Sequence, residues 1–185
     1  MANRTGTYFA FDGLGQADRS KSDLKYYTVV QGWNAAKGID FKFVNSHEKA
    51  SAVRDTSKLE TLKVSIRQRL VVSKNMVVII SADTRKSGSL LSWEIERAVD
   101  VYKLPLIVAY AGFNSILEPR ALSSRWPSTL ATRINNRTAK AIHIPFKKDI
   151  MLASIRRFTV NGEEIGGSLV TFTKQAHINW GYIAV

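Results

Sequence analysis

Hydrophobic positions along this chain switch repeatedly between a strand-like and a helix-like period. Tyr8 to Phe11 is a short apolar run ending at Asp12-Gly13, which predicts a strand followed by a polar loop containing Gly15. From Ser22 to Ala36 the residues Leu24, Tyr27, Val30 and Trp33 recur at helical spacing, and Gly38 closes the segment. Ile39, Phe41 and Phe43 then alternate with Asp40 and Lys42, the period of two expected of a half-buried strand. A loop holding Ser46, His47 and Glu48 leads into a second helix. Its start is marked by Ser57 and Glu60, a pair spaced to cap each other's backbone reciprocally. Leu59, Leu62, Ile66 and Leu70 line one face of this helix, and Lys58, Lys63, Arg67 and Arg69 take the wet side.

The second half repeats the alternation. Met76 to Ile80 is continuous and rich in β-branched residues, as expected of a strand covered on both faces. A polar loop, Ser81 to Ser89, contains Gly88 and precedes a helix carrying Leu91, Ile95, Ala98 and Tyr102 at helical spacing. Leu106 to Tyr110 predicts a fourth strand, with Pro105 at its entrance, where a missing N–H is tolerated. Ala111 to Lys140, with Pro119 and Pro127, reads as a long loop with room for one short helix. Ala141 to Phe146 predicts a fifth strand and Asp149 to Phe158 a last helix. Turn signals at Asn161-Gly162 and Gly166-Gly167 flank a short strand candidate, Leu169 to Thr173. The expected organisation is one α/β domain over residues 1–158, with 159–185 as a C-terminal extension packed on it.

Five strands alternating with helices imply a three-layer sandwich around a mostly parallel five-stranded sheet. In a flavodoxin-like strand order, 2-1-3-4-5, the topological switch point falls between strands one and three. Ligands of such sheets bind beyond the carboxyl ends of the strands at that crevice. The residues expected there are Asp12 to Gly15 and Ser81 to Glu94, with Ser46 and His47 flanking the same edge.

Composition narrows the chemistry. Of 185 residues, 45% are hydrophobic, enough to bury a core, so disorder is excluded. With no Cys there is no disulfide framework, no thiolate metal site and no thiol nucleophile. The three His residues (His47, His143 and His177) lie far apart in sequence, so no metal is expected. The longest purely apolar run, Met76 to Ile80, is far short of a bilayer span, and the amino terminus lacks a secretory signal. A cytoplasmic protein without membrane association is expected. The formal charge of +12 favours anionic partners, but the basic residues are scattered in short groups and are not interleaved with aromatics. A phosphate-bearing small molecule fits that pattern better than nucleic acid, which is not expected as a partner.

Several common tenants of this fold are absent. No glycine-rich loop leads into Gly-Lys-Ser/Thr, and Asp18 breaks the dinucleotide fingerprint begun by Gly13 and Gly15. A phospho-accepting receiver would want an acidic pair after strand one and an Asp after strand three, where Ser81 stands. A site led by a carboxylate remains. Here the sequence resembles a family. Tyr8-Phe9-Ala10-Phe11-Asp12, Trp33, Asn45-Ser46-His47, Ile66-Arg67-Gln68-Arg69-Leu70, Ser73 to Ile80 and Ser92-Trp93-Glu94-Ile95-Glu96 are similar to the TIR-like domains of small bacterial proteins. Among these are the ThsB-type proteins of Thoeris anti-phage systems. The resemblance covers about residues 5 to 110, and Trp93-Glu94-Ile95 is its most specific piece.

The resemblance implies an enzyme that breaks the nicotinamide–ribose bond of NAD and makes ADP-ribose or a cyclic or conjugated ADP-ribose signal, with Glu94 as the catalytic carboxylate. NAD would be substrate, and no cofactor is expected. A single carboxylate suits the chemistry, because the transition state is an oxocarbenium ion and nicotinamide leaves neutral. Phe11, Asp12, Gly13, His47, Thr84, Arg85 and Trp93 are the expected substrate-binding residues, with Arg85 and the Gly13 loop on the pyrophosphate. Self-association, and a separate effector that reads the signal, are the expected partnerships. Two other classes stay open: a non-enzymatic TIR-type interaction module, and a nucleoside deoxyribosyltransferase-like enzyme with a glutamate nucleophile. In the bland reading Glu94 is a helix residue paired with Arg97 or Lys86, and Glu96 is its nearest rival.

Overall fold

The computed structural model describes residues 4–14, 23–35, 43–44 and 56–184. Its centre is a parallel sheet of β1 (Gly6–Ala10), β2 (Phe43–Val44), β3 (Ser73–Ile80), β4 (Leu106–Tyr110), β5 (Ala141–Pro145) and β6 (Val170–Thr171), in the order β2-β1-β3-β4-β5-β6. Strands β1 to β5 have the expected flavodoxin-like order, and the two-residue β6 adds a sixth, parallel strand beside β5. β3 begins three residues before its apolar run. The reason is Asn75, whose polar side chain is buried and fully engaged: it accepts from Thr7 Oγ1 at 2.8 Å and donates to the carbonyls of Ile155 (2.9 Å) and Phe158 (2.7 Å).

Helices cover both faces. On one face lie α2 (Thr56–Val71), α3 (Leu90–Glu96) and α4 (Ser128–Asn135), burying Tyr8, Ala10, Met76, Val78 and Ile80 under Leu62, Ile66, Leu91 and Ile95. On the other lie α1 (Leu24–Ala35) and α5 (Lys148–Arg157), which enclose Phe9, Val77, Ile79, Ile107 and Ile142. Alternate residues of β1 and β3 thus feed opposite cores, as the pleat requires. A short helix, α6 (Lys174–Asn179), follows β6.

Several boundaries differ from the sequence expectation. Ser57 lies inside α2 instead of ahead of it. The third helix is not uniform: after Glu96 it widens into a π-helical turn, Arg97–Val101, and Tyr102 N reaches back to Arg97 O at 3.1 Å. The presumed loop 111–140 holds a 3₁₀ turn, Pro119–Arg125, and α4. Trp126 joins them and is buried, its Nε1 donating to Tyr110 Oη at 2.7 Å. The second-strand pattern from Ile39 to Phe43 falls mostly outside the described residues.

Residues 159–184 run along the β5 edge. Ala141 N donates to Gly167 O at 2.9 Å, Ser168 Oγ donates to Ala139 O at 2.7 Å, and Thr171 Oγ1 donates to Ile116 O. Buried His143 completes the junction, with Nδ1 2.8 Å from Tyr110 Oη and Nε2 2.9 Å from Ser168 O. A backbone carbonyl can only accept, so Nε2 carries the proton and Nδ1 accepts from the tyrosine.

Candidate functional site at the β1/β3 crevice

Asp12 leaves the end of β1 and is 1% exposed. Its Oδ1 accepts from Leu14 N at 2.9 Å, closing a tight turn that holds Leu14 at a left-handed φ of 52°. From the β3–α3 loop, Arg85 meets the same carboxylate three ways. Its backbone N (2.9 Å) and Nε (2.9 Å) reach Oδ2, and Nη2 reaches Oδ1 at 2.7 Å. Burial pushes the Asp12 carboxyl upward, but the Arg85 side chain, the two backbone N–H groups and the guanidinium charge outweigh it and hold it below its ordinary value. Arg85 therefore ties two loops together, and its charge is already matched within the protein.

Thr84 and Ser81 line the next layer. Thr84 Oγ1 accepts from Ser81 N at 2.9 Å and donates to Asp23 Oδ2 at 2.9 Å. Asp23 stands just before α1, its backbone N reaching Asp12 O at 3.3 Å. It is 1% exposed, and burial raises its carboxyl, opposed by the hydroxyls of Ser81 and Thr84 and reinforced by the charge of Asp12. In the same loop Gly88 has a φ of 72°, a conformation that glycine adopts without steric cost.

Glu94 lies across the sheet edge, in the second turn of α3. It is 0% exposed, and Tyr8 Oη donates to its Oε1. Burial above all, then the charge and hydrogen bond of Glu94, drive the Tyr8 phenol well above its ordinary value. Tyr8 is thus a fixed donor to a carboxylate removed from bulk water. The Arg97 guanidinium lies 5.6 Å from the centroid of Trp93.

The other expected site residues separate. Phe11 is buried and stacks on Tyr27, centroids 5.4 Å apart, so its ring is part of the core beneath α1. Trp93 turns to the α2–α3 surface, where Lys63, Arg67 and Arg97 surround its ring at 5.6 to 5.9 Å. Gly13 sits in the Asp12 turn, with nothing within 4 Å of where a Cβ would stand. His47 lies outside the described residues. The crevice therefore gathers Asp12, Gly13, Thr84 and Arg85, with Glu94 beneath the neighbouring helix.

Sequence reasoning missed Asp23 and Tyr8, and placed Ser81 at the crevice without naming its partner. Ser22-Asp23 ahead of an apolar helical pattern carried a signal, but one that ordinarily announces a helix cap. Tyr8 was legible as an inward strand residue, not as the partner of a helix far along the chain. Among the described residues no group of three or more His, Asp or Glu could hold a metal ion, and no helix is long and apolar enough to cross a membrane.

A parallel sheet in this order, with a buried glutamate on the helix after β3, defines a TIR-like α/β domain. The family described as Thoeris protein ThsB, TIR-like domain, matches residues 8–115. The chain belongs to that family, and is a TIR-type protein of the Thoeris defence class.

Proposed function

We propose that this protein is an enzyme that cleaves the nicotinamide–ribose bond of NAD and passes the ADP-ribosyl group on as a cyclic or conjugated signal. Glu94 carries the reading. An ionisable carboxylate with no exposure is costly to bury, and the fold alone does not require one there. Enclosed acids of this kind cluster at functional sites.

In the proposed reaction the bond between the anomeric carbon and the pyridinium nitrogen breaks, and its electron pair leaves with neutral nicotinamide. Positive charge develops on the ribose, and the Glu94 carboxylate stabilises it electrostatically. A hydroxyl of the same ADP-ribose, of another acceptor or of water then adds to the anomeric carbon and loses its proton. Tyr8 keeps the carboxylate oriented. Glu94 must come into contact with substrate, so low basal turnover and activation by assembly with neighbouring copies or partners belong to this reading. The product would act on a separate effector.

The test is Glu94→Gln against Glu96→Gln, with nicotinamide release from NAD followed by mass spectrometry. Glu94→Gln keeps the shape and removes the charge, so turnover should fall by several orders of magnitude while the melting temperature holds. Full activity in well-folded Glu94→Gln protein would refute the assignment. Turnover of deoxynucleosides in place of NAD would shift it to a deoxyribosyltransferase.

A further inference from the structure

Asp23 stands before the first turn of α1, where an aspartate ordinarily caps the helix by accepting from its early N–H groups. It does not do so here. Tyr26 N is taken by the backbone oxygen of Asp23 at 3.1 Å, and the side chain turns toward the β3–α3 loop. There Oδ2 accepts from Thr84 Oγ1, while Oδ1, enclosed by protein, has no hydrogen-bond partner among the described residues. Ser81 Oγ accepts from Asp83 N and lies 3.5 Å from Thr84 Oγ1; its hydroxyl favours the charged form of Asp23 without a well-aligned hydrogen bond to Oδ1.

Leaving a buried carboxylate oxygen unpaired costs about 1–3 kcal/mol or more, because its hydration is lost and nothing replaces it. The oxygen lies at the carboxyl ends of β1 and β3, the crevice where ligands of this fold bind. Its surroundings select the chemistry. Asp12 and Asp23 act on each other as like charges, Arg85 is already bonded to Asp12, and Lys25 is the cation that bears on Asp23. Either carboxylate would repel an incoming phosphate. A hydroxyl donor, or a group carrying positive charge, would meet a waiting acceptor.

We propose that Asp23 is a substrate-binding residue whose Oδ1 accepts a hydrogen bond from a hydroxyl of the ribose that bears nicotinamide. This rests on the reading of the chain as an NAD-cleaving enzyme, and it orients the substrate. The cationic nicotinamide-ribose end enters the crevice over Asp12 and Asp23, and the pyrophosphate points away from them. Arg85 is then a positioning residue, holding Asp12 and the loop that carries Thr84.

The test compares Asp23→Asn with the unaltered protein, using kcat/KM for nicotinamide release. Substrates are NAD and its analogues lacking the 2′- or 3′-hydroxyl of the nicotinamide ribose. Asparagine still accepts from Thr84 and suits a helix start, so the melting temperature should stay level or rise as the unpaired charge disappears. With NAD, kcat/KM should fall about tenfold or more. One deoxy analogue should lose rate with the unaltered protein and lose little further in Asp23→Asn, the signature of two groups that touch. An equal hydroxyl effect in both proteins, or a lowered melting temperature with unchanged kcat/KM, would make Asp23 structural and overturn the proposal, leaving the NAD reading intact. No release from NAD by the unaltered protein at any concentration would remove the NAD reading itself, and the role of Asp23 with it.

Discussion

Tyr8, in the first strand, donates its phenolic hydrogen to Glu94, 86 positions away on the third helix. The bond joins the strand that opens the crevice to the helix that carries the candidate carboxylate. Its donor is kept protonated by burial first and by the neighbouring negative charge second. Tyr8→Phe removes this donor from a buried acceptor while preserving the ring. A loss of about 1–3 kcal/mol in urea unfolding is expected. Under the proposed function, NAD turnover should also drop as the carboxylate loses its orientation. A variant as stable and as active as the parent would show that the bond does neither job.

Arg85→Ala should act on stability before it acts on substrate. The substitution leaves Asp12 buried with its bond from Leu14 N and its bond from the backbone of residue 85, but without the guanidinium. A cost of about 1–3 kcal/mol follows, discounted toward the lower end because the Arg85 side chain is 42% exposed. The pH dependence has a definite sign. The Asp12 carboxyl is depressed on folding, so its contribution is present above the ordinary aspartate range and is lost as pH falls through the folded value. Melting curves between neutral and acid pH should show this loss in the parent, and a smaller one in Arg85→Ala.

His143 gives a second acid-sensitive element. Burial lowers its imidazole from 6.5 to about 4, against the opposing hydrogen bond to Ser168. The unfolded chain therefore binds a proton that the folded chain refuses between those values. Stability attributable to neutral His143 is present above pH 6.5 and falls as pH drops toward about 4, by roughly 3 kcal/mol in all. His143→Gln, at lower overall stability, should flatten that part of the profile of unfolding free energy against pH. An unchanged slope would place the acid sensitivity elsewhere.

Asn75→Ala should be among the more damaging single changes outside the site. It strips the donors from the Ile155 and Phe158 carbonyls and the acceptor from Thr7 in one step. A loss of about 3 kcal/mol in equilibrium unfolding is expected. Asn75→Asp should cost at least as much, since it replaces a donor to two carbonyls with negative charge.

The chain by itself determined the layers. Period-two and continuous apolar runs located the strands, helical spacing located α1, α2, α3 and α5, and alternation of the two implied the parallel order. These signals are local, because each element must bury its own apolar face. The same logic placed Asp12, Gly13, Thr84 and Arg85 around one crevice, since the switch point follows from strand order. Glu94 was singled out by its motif.

Tertiary structure decided what each polar group does there. Arg85 reads from sequence as a free cation for phosphate, yet it is spent on Asp12, because a carboxylate buried after β1 needs a partner more than the solvent does. Phe11 reads as a candidate substrate-binding residue and packs in the core, where Tyr27 lies against it. Asp23 falls inside the helix expected from Ser22 to Ala36 and instead stands before it, facing Thr84. Trp126 falls in a segment with little periodic pattern and His143 in a predicted strand, and the roles of both arise from hydrogen bonds between residues far apart in sequence. A period in sequence reports which face of an element is buried. It does not report which partner the fold brings to that face, and the pairings that shape this crevice are all of that second kind.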